Sequence, residues 1–344
     1  MHNNSYYIID KLLKEQSINF QYNYNMSRYT PFDYPVISKL IIYPKTIEQT
    51  ICAAKIVKEY TDGKIYFFGN FSNSIIHEKS KILNQSVIIT KNLKKFNIFE
   101  KEKFCEIESG YPLPKFSNIL SNKSFEGFSG LLGIPGSIGG SICMNAGSFG
   151  HEISDKLISV NYLDQNLKIK TIEKKNINFD WRYSIFQDRL SQSLILSAKF
   201  RLDVGNKKKI QKHKFYSQKA RSITQEKAGN NYGSVFATKW IYNESNYKNY
   251  IYEIIKKFLN LLYVILLSAM KLEFTRTFLT KLLINFNKKY FGITDNKNIK
   301  ISNKSLNCFL IKTKDTKPSE YINFISSFKK KFNPKCKIEI RIYD

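Results

Sequence analysis

The feature that most constrains this chain is a run of glycines near its middle. Eight of the fifteen glycines lie within the 24 residues 127–150, which read GFSGLLGIPGSIGGSICMNAGSFG. Glycine loses more backbone entropy on folding than any other residue, so this density destabilises the chain unless a particular backbone geometry requires it. Glycines let the main chain approach a ligand closely and turn its N–H groups towards phosphate oxygens. The run therefore predicts a site for a ligand that carries a pyrophosphate.

The run does not have the dinucleotide-binding fingerprint of a Rossmann unit. No Gly-x-Gly-x-x-Gly joins a predicted strand to a helix, and no acidic residue follows at the expected distance. This disfavours a parallel nucleotide-binding sheet. A glycine-rich loop that only makes tight turns stays open as the purely structural alternative.

The periodicity of the rest of the chain predicts an α+β fold. Apolar residues at helical spacing follow Thr46, which forms a predicted capping box with Gln49, and the helix runs to Tyr60. A helix is also predicted from Pro318 to Phe332. Strands are predicted at residues 64–69, 86–90, 104–109, 158–163, 167–172, 194–202 and 336–344.

A polar hinge at residues 205–209 divides the chain in the prediction. Helical periodicity covers most of residues 210–290 after it. We therefore predict a leader segment at residues 1–29, a first domain at 30–204 and a smaller second domain at 205–344. The most apolar stretch, residues 258–270, is too short for a membrane span of roughly 20 residues, and we expect it to be a buried helix.

The net charge of +27 is spread along the chain and is not clustered. An AT-rich genome that favours lysine codons explains such a distribution, so a nucleic-acid partner is not expected. The five cysteines form no CxxC pair, and their number is odd, which indicates neither a disulfide framework nor a zinc or other metal site. The N-terminus lacks the pattern of a secretory signal, so we expect the protein in the reducing cytoplasm. We also expect a monomer.

The string GIPGSIGGSICMNAGSFG resembles the signature of the UDP-N-acetylenolpyruvoylglucosamine reductase (MurB) family. The resemblance implies an FAD-binding domain of the type shared with vanillyl-alcohol-oxidase flavoproteins, followed by a smaller α+β substrate-binding domain. It implies FAD contacts from this run at Gly133, Ile134, Pro135, Gly136, Ser137, Gly139, Gly140, Asn145, Ala146 and Gly147.

A second loop, FFGNFSNSII at residues 67–76, is similar to a family loop that reads Gly-Gly-Gly-Ser-Asn. By that resemblance Gly69, Ser72 and Asn73 also contact FAD. Asn70 and Phe71 replace the other two glycines. We therefore expect side chains where the backbone should approach the cofactor.

The resemblance also implies three catalytic residues. Arg182 in WRYSIF is similar to the family arginine that would clamp the substrate carboxylate, and Ser234 in YGSVF is similar to the serine that donates a proton. Glu339 in IEIRI matches the third catalytic position. Upstream of Ser234, Arg221 and Gln225 match positions implied to bind the substrate.

These matches imply the reduction of UDP-N-acetylglucosamine enolpyruvate to UDP-N-acetylmuramate, a step of peptidoglycan precursor synthesis, with NADPH as hydride donor. Two alternatives stay open. One is a diverged relative that binds flavin without turnover, because loop glycines and second-domain motifs are altered and residues 250–290 form a predicted helical replacement. The other is a basic protein without chemistry that associates with RNA or membranes.

Overall fold

The structure is a computed structural model, and it describes residues 2–61, 65–227, 229–238, 241, 253–254, 257–258, 261 and 273–343. Its α-helices are α1 (His2–Glu15), α2 (Ile47–Tyr60), α3 (Leu113–Asn122), α4 (Ile138–Cys143), α5 (Lys207–Thr224), α6 (Glu273–Tyr290) and α7 (Pro318–Phe332). The N-terminal strands are β1 (Asn19–Asn25), β2 (Ile37–Tyr43), β3 (Ile65–Phe68), β4 (Ser74–Ile76), β5 (Ser86–Ile89), β6 (Phe96–Phe99) and β7 (Phe104–Glu108). The later strands are β8 (Gly147–Ser148), β9 (His151–Glu152), β10 (Leu157–Leu163), β11 (Ile169–Glu173), β12 (Leu194–Arg201), β13 (Ile299–Ile301), β14 (Phe309–Ile311) and β15 (Arg341–Tyr343).

The first sheet has the strand order β1-β2-β5-β3. β1 is antiparallel to β2, but β2 and β3 both pair with β5 in parallel. The expectation against a parallel sheet was therefore wrong for these strands. The missing Rossmann fingerprint excluded one kind of nucleotide-binding unit, whereas parallel pairing needs only a crossover connection such as α2.

Helices α1 and α2 cover one face of this sheet. Leu40 and Ile42 of β2 pack there with Leu13 of α1 and Val57 of α2. The intervening Ile41 points into a second cluster on the opposite face, as the two-residue period of a strand requires. Thr46 caps α2 by accepting a hydrogen bond from the Gln49 backbone N–H, which confirms the predicted start.

The second sheet has the order β11-β10-β12-β7-β6, and its pairs are all antiparallel. Its core side packs on α3, where Phe116 contacts Phe128 and Phe200 at ring-centroid distances of 5.3 and 5.2 Å. The strands predicted around residues 104, 158 and 194 are confirmed. Helices and sheets are mixed throughout, so the α+β prediction is confirmed as well.

The C-terminal part packs α6, β13, β14 and α7 around an aromatic core. Phe236, Phe309 and Phe328 are each at most 2 % exposed and lie within 6.3 Å of one another between ring centroids. Pro318 opens α7 as predicted. Glu78 accepts hydrogen bonds from the backbone and hydroxyl of Ser319 in the first turn of α7, which ties this helix to the N-terminal half of the chain.

The helical character predicted for most of residues 210–290 is seen in α5, in α6 and at the described residues 253–254, 257–258 and 261, whereas the backbone at residues 229–238 is not helical. Most of residues 239–272 lie outside the described residues. Of the stretch 258–270, Phe258 and Leu261 are described, and both are about 60 % exposed, against the expected burial. No helix within the described ranges is long and apolar enough to cross a bilayer.

The chain end returns to the first half of the molecule. β15 pairs in parallel with β4, Arg341 opposite Ser74. The closing strand predicted over residues 336–344 is shorter than expected. Glu339 donates its N–H to Val235 on one side, and Arg341 donates its N–H to Asn73 on the other, so the chain changes partner and the ladder is interrupted.

Candidate active site

Backbone geometry explains why the glycine-rich run needs several of its glycines. Gly133 and Gly136 have φ of +85° and +130°, values that L side chains rarely adopt. At Gly139 an added Cβ would lie 2.9 Å from Cβ of Ser109, and at Gly147 it would lie 2.8 Å from the His151 carbonyl oxygen. Close packing of the protein on itself therefore requires Gly139 and Gly147 even without a ligand.

The structure brings the two predicted cofactor loops together. A Cβ at Gly69 would collide with the hydroxyl of Ser137, and the Ser72 Oγ donates a hydrogen bond of 3.3 Å to the Pro135 carbonyl. Ser137 also caps α4 by accepting a long hydrogen bond, 3.5 Å, from the Gly140 N–H. Loops that are 63 residues apart in sequence thus form one surface.

The side chain of Phe71 does not lie where the sequence predicted it. Its φ is +54°, so it keeps the left-handed backbone of a glycine at a cost of about 1–2 kcal/mol. Its ring is 3 % exposed and packs in the core of the first sheet, stacked on Phe68 and Tyr29. The expectation of a side chain in the path of the cofactor was therefore wrong at this position.

Asn73 links the second loop to the chain end. Its Nδ2 donates a hydrogen bond of 3.1 Å to the Glu339 carbonyl, and its own carbonyl accepts from the Arg341 N–H at 3.0 Å. The side-chain amide of Asn73 thus holds the backbone of a predicted catalytic residue. No sequence pattern indicates this contact, because the two residues are 266 positions apart.

Arg182 lies between the glycine run and Glu339. Its Nη1 and Nη2 donate to the carbonyls of Asn145 and Gly147 at 3.2 and 2.5 Å, and its Nε lies 3.3 Å from Oε1 of Glu339. The guanidinium also stacks on Trp181 at 4.4 Å. The φ of Arg182 is +55°, a strained value that the surrounding contacts hold in place.

Glu339 is a carboxyl with a perturbed proton affinity. Burial raises the pKa of Glu339 from 4.5 to about 7, and the positive charge of Arg182 opposes part of that rise. Its side chain is 18 % exposed, so it is reachable from solvent at one edge. Near neutral pH it can therefore either donate or accept a hydrogen bond.

Ser234 is exposed on the segment that pairs with the Glu339 backbone. The neighbouring Val235 accepts from the Glu339 N–H at 2.8 Å, and Phe236 forms a bridge with Ile338. Asn307 fixes this segment, because its side chain accepts from the Phe236 N–H at 2.8 Å and donates to the Phe236 carbonyl at 2.9 Å. The three predicted catalytic residues thus lie on segments in direct contact.

Helix α5 packs against the glycine run. Arg221 packs against Gly133, donates to Ser148 Oγ at 3.2 Å and to Gln225, and lies over the ring of Phe149 at 5.2 Å. Burial lowers the pKa of Arg221. Of the two predicted substrate-binding residues, Arg221 therefore contacts the glycine run, and the exposed Gln225 contacts Arg221.

The sequence analysis did not single out two histidines that lie where α5 contacts the glycine run. His213 of α5 hydrogen-bonds Ser129 Oγ at 2.8 Å and the Phe149 carbonyl at 3.0 Å, and His151 accepts from the Gly130 N–H at 2.9 Å. The two imidazoles are 4.8 Å apart. The spacing along α5 indicates His213, because residues 213, 217 and 221 are four positions apart and therefore share one helix face with Arg221.

The site retains buried polar atoms without a protein partner. Within the described residues, Asn145 Oδ1 and Arg221 Nε are buried and make no hydrogen bond. Such atoms are rare in folded proteins and indicate a missing ligand or water. Together with the glycine backbone they fit a polar cofactor.

A separate groove of about 980 Å³ lies beside the first sheet. Tyr24, Tyr29, Tyr43 and Lys91 line it, and none of its lining residues belongs to the predicted site. We place the chemistry at the glycine run, because the perturbed carboxyl and the unpartnered polar atoms are there.

Comparison with known proteins agrees with this arrangement. Residues 38–173 match the FAD binding domain family. The chain is 33 % identical over 223 residues to the UDP-N-acetylenolpyruvoylglucosamine reductase of Prochlorococcus marinus, a match that spans 64 % of this chain and 74 % of the relative. The chain belongs to the UDP-N-acetylenolpyruvoylglucosamine reductase family. A relative of the same name from Lactobacillus helveticus is 32 % identical over 226 residues, 65 % of this chain and 73 % of that one.

A solved structure shares the fold of this chain over most of its length. UDP-N-acetylenolpyruvylglucosamine reductase from Thermus caldophilus superposes with a TM-score of 0.66, covering 95 % of this chain and 99 % of that chain at 16 % identity. The predicted resemblance and the FAD-binding fold are therefore confirmed.

Proposed function

We propose that this protein is an FAD-dependent reductase that converts UDP-N-acetylglucosamine enolpyruvate to UDP-N-acetylmuramate with NADPH as hydride donor. The observation that carries the proposal is the contact of Arg182 with Glu339, 3.3 Å, beside the glycine run. It puts a permanent cation and a carboxyl of raised pKa at one point. Reduction of an enol ether next to a carboxylate needs both, because negative charge builds up there and a proton must follow.

The proposed FAD site consists of the two loops that contact each other. From the second loop it takes Gly69, Ser72 and Asn73, and from the glycine run it takes Gly133, Ile134, Pro135, Gly136, Ser137, Gly139, Gly140, Asn145, Ala146 and Gly147. The unpartnered Oδ1 of Asn145 supports a polar ligand here. When bound, reduced flavin supplies the hydride.

Arg182 is proposed to clamp the substrate carboxylate. A guanidinium has five N–H donors: two donate to the carbonyls of Asn145 and Gly147, and the one on Nε faces Glu339, with which Arg182 forms an ion pair. The two that remain can hold a carboxylate while the charge stays fixed through turnover. The contacts already made by Arg182 restrict its rotamers before substrate arrives, so less entropy is lost on binding.

Ser234 is proposed as the proton donor and Glu339 as its assistant. A serine hydroxyl is a poor acid, so a neighbour must favour the transfer. With a pKa of about 7, Glu339 is partly protonated at neutral pH and can hydrogen-bond to the developing negative charge on the substrate. Backbone pairing of Glu339 with Val235, next to Ser234, supports a shared role.

Arg221 and Gln225 are proposed to bind the phosphates of the sugar nucleotide. The arginine side chain is fixed by Phe149 and Ser148, and its buried Nε has no protein partner in the described residues. In the proposal NADPH uses the same cleft before the substrate, and the protein works as a monomer in the cytoplasm.

The test is the oxidation of NADPH with and without added UDP-N-acetylglucosamine enolpyruvate. We expect substrate-dependent oxidation and formation of UDP-N-acetylmuramate. Ser234→Ala should abolish product formation and leave flavin reduction by NADPH intact. Ser191→Ala, at another exposed serine, is the matched control and should behave like the wild type.

Two results would contradict these assignments. If Ser234→Ala forms product at the wild-type rate, the proton-donor role is wrong. If the protein binds FAD but NADPH oxidation never depends on the substrate, the diverged, inactive relative replaces the reductase as the better hypothesis.

A further inference from the structure

Phe71 occupies a conformation that its residue type disfavours, at the tip of a predicted cofactor loop. Its φ of +54° is in the left-handed region, where bulky residues are rare. Strained positions of this kind persist only when the surrounding structure holds them in place.

An aromatic stack holds the ring from both sides. Phe68 lies on one side with ring centroids 4.3 Å apart and an angle of 17°, and Tyr29 lies on the other at 5.2 Å and 23°. Tyr29 is itself fixed, because its hydroxyl accepts a hydrogen bond of 2.8 Å from Lys91 and donates to Tyr43 at 3.4 Å. The ring of Phe71 is therefore clamped between two anchored partners.

The opposite side of the same loop touches the glycine run. Gly69 leaves no room for a side chain beside Ser137, and Ser72 donates to the Pro135 carbonyl at 3.3 Å. Any rotation of the loop about Phe71 would shift both contacts. Phe71 thus anchors the loop to the core of the first sheet, in addition to the hydrogen bonds that Asn73 makes with the chain end.

We propose that Phe71 is a positioning residue for FAD, which holds the loop of residues 69–73 in its binding conformation by stacking between Phe68 and Tyr29. The similar family loop has a glycine at this position, whereas in this chain the stacked side chain of Phe71 holds the left-handed backbone in place. The inference rests on the assignment of this loop to FAD in the proposed function. It adds a specific determinant of cofactor affinity outside the groups that touch the cofactor.

The test measures FAD affinity of the apoprotein by fluorescence titration, with thermal unfolding of the apoprotein as a second readout. Phe71→Gly keeps the left-handed backbone accessible, removes the ring from the stack and increases the backbone freedom of the loop. We expect its FAD dissociation constant to rise about tenfold, about 1.4 kcal/mol. Tyr29→Ala, which changes the other side of the stack and leaves the loop sequence intact, should weaken FAD binding similarly.

A double variant and a control separate positioning from general destabilisation. The effects of Phe71→Gly and Tyr29→Ala on FAD affinity should be non-additive, because both remove the same stack. Ile82→Ala, in the same core cluster and 2 % exposed, should lower the unfolding temperature without changing FAD affinity.

The outcomes are distinguishable from failure of the proposed function. If the wild type binds no FAD, the proposed function fails, and this inference with it. If the wild type binds FAD and Phe71→Gly binds it equally well or more tightly, only the positioning role is overturned. An Ile82→Ala variant that loses FAD affinity as much as Phe71→Gly would also overturn it.

Discussion

Replacing Glu339 by glutamine should make the stability of the protein less sensitive to pH. The pKa of Glu339 is about 7 in the folded chain and 4.5 when unperturbed. A difference of one pKa value is worth about 1.4 kcal/mol, so the whole difference amounts to about 3 kcal/mol. Glutamine resembles the protonated carboxyl in shape and carries no charge to bury.

The sign of the effect follows from proton binding. The folded carboxyl holds its proton more tightly than the unfolded one, so folding takes up protons between pH 4.5 and 7. This group therefore leaves the wild type most stable below about pH 4.5 and destabilises it by up to about 3 kcal/mol above pH 7. Glu339→Gln should lack this loss.

The assay is urea unfolding of the wild type and Glu339→Gln at pH 5 and pH 8. The stability difference in favour of the variant should grow by about 2–3 kcal/mol between the two values. The control is Glu102→Gln, at an exposed carboxyl in the turn before β7, whose stability difference from the wild type should be the same at both pH values. A Glu339→Gln difference that is the same at both pH values would refute the raised pKa.

Three further predictions concern the backbone and its supports. Gly136→Ala should destabilise the apoprotein by about 1–3 kcal/mol, because φ of +130° excludes a side chain, whereas Gly140→Ala in a helix should be tolerated, as thermal unfolding will show. Burial and a neighbouring histidine lower the pKa of His151 below 6.5, so its contribution to stability should be present above pH 6.5 and lost on further acidification; a wild-type advantage over His151→Asn that does not shrink at low pH contradicts this. Asn307→Ala should cost about 1–3 kcal/mol in urea unfolding, since it leaves the buried Phe236 N–H unpaired and removes one of the two hydrogen bonds to the Phe236 carbonyl, and should lower turnover without weakening FAD binding.

Local signals in the sequence predicted local structure well. Thr46 and Pro318 mark the starts of α2 and α7, because a capping hydroxyl and a proline at the first helical position act within one turn. The alternation of apolar residues at 194–202 predicted β12, in which buried and less buried residues alternate from Leu196 to Arg201, although Leu194, Ile195 and Leu196 are all buried. Signals of this kind depend only on neighbours along the chain.

The sequence pattern did not predict contacts between segments that are far apart in the chain. Nothing near Asn73 indicates that it pairs with the chain end, and nothing near Phe71 indicates that its ring turns into the core of the first sheet. The closing strand was predicted too long because alternation at residues 337–342 shows strand character but not the change of partner at Glu339. Tertiary packing decides these features, and a single sequence does not display it.

The candidate site was predicted as a set of residues without its geometry. The family resemblance supplied Arg182, Ser234 and Glu339, and the structure places all three on contacting segments. It could not supply the Arg182 contacts to the carbonyls of the glycine run, nor the pKa of Glu339, because both arise from burial and distance. The roles of these residues stay predictions.

One anaerobic experiment tests the central claim that two contacting loops hold FAD for the reduction of an enol ether. The flavin absorbance of the FAD-loaded protein is followed while one equivalent of NADPH and then UDP-N-acetylglucosamine enolpyruvate are added. We predict that the absorbance falls with NADPH and returns in proportion to the substrate. A protein that takes up no FAD from an excess, or a reduced flavin that the substrate leaves unchanged, would contradict the account.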